Sequence, residues 1–92
     1  MNIEQQATIT TFIKETFDAR VALAERDAAF NGLDSVEKNR KVKAWAQMYG
    51  KMAYGLLTPR PVFSAGIRDV MRLFKEHSQY YDRYYNVRPD IR

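Results

Sequence analysis

Apolar residues recur along this chain at helical intervals in three blocks. In the first, Ile9, Ile13, Phe17, Val21, Ala24 and Ala28 follow at spacings of four, four, four, three and four. That is one stripe of an α-helix, widened by Phe12, Ala19, Leu23 and Phe30. Asn2, with Gln5 three positions on, reads as a capping box at its start. Asn31-Gly32 predicts its end, with glycine in a left-handed cap and Leu33 folded back on the last turn.

Asp34 then predicts the N-cap of a second helix, with Glu37 completing the box. Val42, Trp45, Tyr49, Met52 and Leu56 form its seam. Gly50 inside it costs about 1 kcal/mol relative to alanine, and a close helix–helix approach is the usual reason to keep such a residue. Thr58-Pro59-Arg60-Pro61 ends it, because proline removes a donor and pushes its predecessor out of the helical region. The third block, Phe63, Ile67, Val70, Phe74, His77, Tyr81 and Tyr84, again alternates four and three. The pattern predicts helices over about 3–30, 35–57 and 63–86, with a tail at 87–92. Residues 1–92 then make one all-α domain, a small antiparallel three-helix bundle with short links. No stretch alternates as a strand would.

Charge changes this picture more than composition does. The 92 residues are 46% apolar and 28% charged, with a net charge of +4. Residues 1–34 carry three basic side chains against six acidic ones, −3, whereas residues 35–92 carry twelve against five, +7. The split predicts an acidic partner for the later two thirds. Attraction between acidic and basic helices of one fold accounts for it equally well.

On the second helix Arg40, Lys43, Gln47 and Lys51 share a face, with Lys38 and Lys41 nearby. On the third, Arg68, Arg72, Lys75, Gln79 and Arg83 make a similar row. Side by side, the rows form a floor of seven positive charges, extended by Arg60 in the link. Such density suits phosphate, since each neutralised phosphate releases counterions. A solvated helix face accounts for the same residues, with Asp69, Glu76 and Asp82 pairing locally. Still, residues 38–51 hold five positive charges and no negative one. Four tyrosines crowd into "YYDRYY". Tyr81 and Tyr84 fall on the seam and are expected in the core, leaving Tyr80 and Tyr85 to meet a partner.

Chemistry finds little purchase. With no cysteine and one histidine, thiol catalysis, disulfides and His-rich metal sites are excluded. His77 lies on the seam, as a packing residue would, and Ser78 cannot face it from the next position. Glu15, Asp18 and Glu25 share a helical side and are weighed as a hard-cation site, but no glycine-rich ligand loop accompanies them. Neither "GLLTPRP" nor "NGLD" matches a phosphate-cradling loop. No enzyme, cofactor or metal is expected. A helix-turn-helix is disfavoured by a link with two prolines and by the length of both helices.

The leading expectation is a non-enzymatic binding protein whose basic face engages nucleic acid or a nucleoprotein complex. The alternative is an inhibitor or adaptor, of the kind phages and mobile elements direct at a host defence complex, acting through protein contacts with Tyr80, Tyr85 and Arg83 as anchors. A homodimer completed through Trp45 and Tyr81–Tyr84 is a third reading. No apolar run is long enough to span a bilayer. Met1-Asn2-Ile3-Glu4 lacks the features of a secretory signal, so a cytoplasmic location is expected.

Overall fold

In the computed structural model residues 2–56 and 63–85 are described, with their side chains except those of 63–65 and 85. Every regular element among them is helical, and the fold is all-α. The first stretch comprises α1 (Ile3–Ile13), a π-helical turn (Lys14–Asp18), α2 (Ala19–Ala24) and the short α3 (Ala28–Asn31). Next come α4 (Ser35–Tyr54), α5 (Phe63–His77) and α6 (Tyr81–Tyr85).

Both expected helix starts are real, and the first closes a full capping box while the second has its N-cap bond alone. The Asn2 side chain accepts from the Gln5 amide at 2.7 Å while Gln5 returns the bond at 3.0 Å. The Asp34 carboxylate accepts from the Glu37 amide at 2.8 Å. The long first and third helices, by contrast, are each interrupted. Asp27 starts α3 afresh by accepting from the Ala29 amide. Ser78 ends the third helix because its hydroxyl accepts the amides of Tyr80 and Tyr81, a side-chain cap that begins α6. Gly32 stays right-handed, at φ −78°, so the predicted left-handed cap does not form. α4 ends at Tyr54, and the link with Thr58, Pro59, Arg60 and Pro61 and the tail at 87–92 lie outside the described residues.

The π turn has a visible cause and a use. The Thr16 hydroxyl donates to the Phe12 carbonyl at 2.6 Å, competing for the acceptor that an α-helix reserves for the Thr16 amide. A spacing of four overshoots one α-turn by about 40°, so three such steps would swing Val21 roughly 120° away from Ile9. The wider π turn takes up that excess. Ile9, Ile13, Phe17 and Val21 accordingly all lie fully buried.

Contacts give the directions of the three stretches. Phe17 meets Phe74 edge-on at 5.2 Å and Glu25 reaches Arg83, so the first and third run the same way. Phe30 stacks near Trp45 and Arg20 reaches Tyr49, so α4 runs against the first. Tyr54 packs on Gly66, and Gly50 faces Met71, so α5 runs against α4.

The core line of α4 differs from the expected seam. Asn39, Val42, Ala46, Gly50 and Ala53 are buried, Trp45 and Tyr49 are partly buried, and Met52 and Leu56 are 51% and 54% exposed. The small residues mark where neighbouring helices come closest, and the large ones were pushed to the flank. Leu23 and Ala28 are likewise exposed, and so is His77, which sits on the last turn before the Ser78 break.

Candidate polyanion-binding face

The approach of Gly50 to Met71 organises the basic residues. A Cβ at position 50 would lie 2.8 Å from Met71 Sδ. Lys43 precedes Gly50 by seven residues and Gln47 precedes Tyr54 by seven, two helical turns in each case. Lys51 precedes Tyr54 by three. All three therefore line the flank of α4 that adjoins α5, with Arg40 seven before Gln47. On α5, Arg68 stands three before Met71 and Lys75 four after it, so both share the Met71 side. The two rows flank one seam, with Met71 at its floor.

The cations differ in how available they are. Lys51, Arg68 and Lys75 are exposed and make no ion pair among the described residues. Arg40 holds Glu37 at 3.2 Å on the preceding turn, an exposed pair. Arg72 lies between Asp69 at 3.9 Å and Glu76 at 3.4 Å. Exposed pairs of this kind are worth about 0–1 kcal/mol and yield readily to a better ligand. Lys43 is half-buried. Arg60 and the Tyr85 side chain lie outside the described residues.

Arg83 does not join the row as the spacing predicted, and Tyr80, expected to be left for a partner, lies beneath it. The Arg83 guanidinium donates to both oxygens of Glu25, at 2.9 and 2.7 Å, and lies 5.1 Å over the Tyr80 ring. Tyr80 is half-buried against the core. Tyr84, buried, donates to Glu25 at 2.6 Å. Burial pushes Glu25 up, but the hydrogen bonds from Tyr84 and Arg83 outweigh it and hold the carboxyl below its ordinary range. Burial, and the bond to Glu25, push Tyr84 up to about 12. The trio ties α6 to the end of α2. Arg83 is thus an internal clasp, answered by a carboxylate 58 residues away.

The acidic trio does not form a cation site either. Asp18, buried, accepts the Ser78 hydroxyl at 2.5 Å and the Gln79 amide at 3.1 Å, and Glu25 is held as above. Among the described residues no group of three potential ligands is placed to hold a metal ion. None of the described helices is long and apolar enough to cross a membrane.

Lys38 and Lys41 belong to the other flank of α4, a division the spacing already encodes. They stand seven and four before Trp45, which faces the first stretch. Lys38 lies 5.9 Å over Phe30, and Arg20 covers the Trp45 ring at 4.6 Å.

No family model, curated protein or solved structure matches the chain.

Proposed function

We infer that this chain is a non-enzymatic binding protein, built on an antiparallel three-helix frame, whose α4–α5 face engages nucleic acid or a nucleoprotein complex. The Gly50–Met71 approach carries the reading. It sets Lys43 and Lys51 on one bank and Arg68 and Lys75 on the other, with Arg40 and Arg72 at the edges in weak local pairs. A flat double row of cations suits a phosphate backbone, which supplies sequence-independent affinity. Gln47 adds an amide donor without adding charge. Arg83 has a structural part here, holding α6 in place through Glu25.

Titration of a generic duplex and a generic single strand against rising salt tests this. The affinity should fall steeply, with a log–log slope of about −0.9 for each phosphate contacted on duplex DNA. Lack of binding to either at low salt would refute direct nucleic-acid contact.

A second reading rests on a separate observation. Leu23, Met48, Met52 and Leu56 are exposed apolar side chains. Such surface favours an inhibitor or adaptor that acts through protein contacts, and it would survive a negative result with nucleic acid.

A further inference from the structure

A cleft of about 230 Å³ opens between the end of the first stretch and α4, on the flank away from α5. Ala24, Ala29, Phe30, Leu33 and Trp45 wall it, and Asp27 and Lys41 stand at its rim. The volume is below the roughly 300–1,000 Å³ of small-molecule sites, so it suits one inserted side chain better than a whole cofactor.

We propose that this cleft receives an aliphatic side chain from an acidic peptide segment of a protein partner. Three observations specify that occupant. The walls are apolar, and the small Ala24 and Ala29 beside Phe30, Leu33 and Trp45 leave room for a branched aliphatic group. Of the charged residues at the cleft itself, Lys41 stands against Asp27, whose carboxylate already accepts the Ala29 amide at 3.1 Å, and Arg20 and Lys38 add positive charge over the Trp45 and Phe30 rings. Carboxylates flanking the inserted residue therefore meet complementary charge. Finally, a nucleobase would need an open ring to stack on. Arg20 already lies over Trp45 and Lys38 over Phe30. The two rings are also stacked on each other, with centroids 6.1 Å apart. Leu23, 68% exposed and three residues beyond Arg20, extends the apolar rim.

The cleft and the α4–α5 face lie on opposite flanks of α4, so this inference stands independently of nucleic-acid binding. Trp45 is the sole tryptophan, and its emission reports occupancy directly. The probe is a short capped peptide with one leucine flanked on both sides by glutamates. Controls replace that leucine with alanine, or the glutamates with lysines, and adenosine monophosphate tests the stacking alternative. The expected result is a saturable change in Trp45 emission with the leucine–glutamate peptide alone. Lys41→Glu and Ala29→Phe, both at exposed positions, should each weaken it at least tenfold while the melting temperature stays within a few degrees. Absence of a saturable change, an equal response to either control peptide, or a response to the nucleotide without one to the peptide overturns the proposal. Unaltered affinity in both folded variants overturns it too.

Discussion

Gly50 of α4 and Met71 of α5 approach so closely that a single added methyl group would press on the thioether. The contact sets the spacing of the two helices, and with it the separation of the cations on either bank. Gly66 does the same at the far end of the pair, where a Cβ would overlap the Tyr54 ring.

The two glycines should respond differently to alanine. At position 50 the obstacle is the end of a flexible side chain, and the helix gains about 1 kcal/mol of propensity. Gly50→Ala should therefore change stability by less than about 1 kcal/mol. At position 66 three atoms of a rigid, buried ring stand in the way. Gly66→Ala should lose about 1–3 kcal/mol, the range for overpacking. Urea unfolding of both variants checks the contrast.

Asp18 joins the π turn to the start of α6, through the Ser78 hydroxyl and the Gln79 amide. Asp18→Ala leaves both groups unanswered in a half-buried place and should destabilise the fold by about 1–3 kcal/mol. Ser78→Ala removes the cap of α6 as well. The double variant should lose less than the sum of the single losses, because both act on one network. A thermodynamic cycle from urea melts measures the coupling, and strict additivity would argue against a shared network.

How much of this was legible beforehand differs from element to element. Asn2 with Gln5 and Asp34 with Glu37 announce helix starts, because a cap is a local contact between residues three apart. The breaks at Glu25–Asp27 and Ser78–Tyr80 carry no glycine or proline. They arise from Asp27 and Ser78 side chains that compete with the helix, and such residues read equally well as exposed polar positions. The π turn did leave a trace, in the unbroken run of fours from Ile9 to Val21. In α4, weighting by residue size favoured Trp45, Tyr49 and Met52 over Ala46, Gly50 and Ala53. Close approach selects the small residues. The cationic rows follow from spacing within one helix, but the Glu25–Arg83 clasp is a long-range contact that no local pattern encodes.

That clasp should make stability depend on pH at both ends. Glu25 has a folded pKa below its unfolded value, so its contribution is present above the unfolded value and is lost as pH falls through the folded one. Tyr84 is raised from 10.0 to about 12. Its contribution is complete below pH 10 and is lost as pH rises toward about 12. Tyr84→Phe should flatten the alkaline limb only, whereas Glu25→Gln should weaken both. Melting temperatures across the pH range distinguish them.

Replacing the tyrosines one at a time tests which belong to the core. Tyr81 and Tyr84 are buried, and alanine at either should lose about 3–5 kcal/mol, as for other large aromatic truncations. Tyr80, half-buried beneath Arg83, should lose distinctly less. Chemical denaturation ranks the three, and a Tyr80→Ala loss equal to the others would misplace that ring.

The α4–α5 face as the phosphate-binding surface is tested most directly by two charge-matched triple variants. One reverses Lys51, Arg68 and Lys75 to glutamate. The other reverses Lys14, Arg26 and Lys41, which are exposed elsewhere. Duplex binding is measured against salt for both and for the parent chain. The first variant should have a log–log slope shallower by about 2–3, as expected for three lost phosphate contacts, while the second retains the parent slope. Equal slopes for the two variants would contradict the assignment of the face and leave only net charge at work.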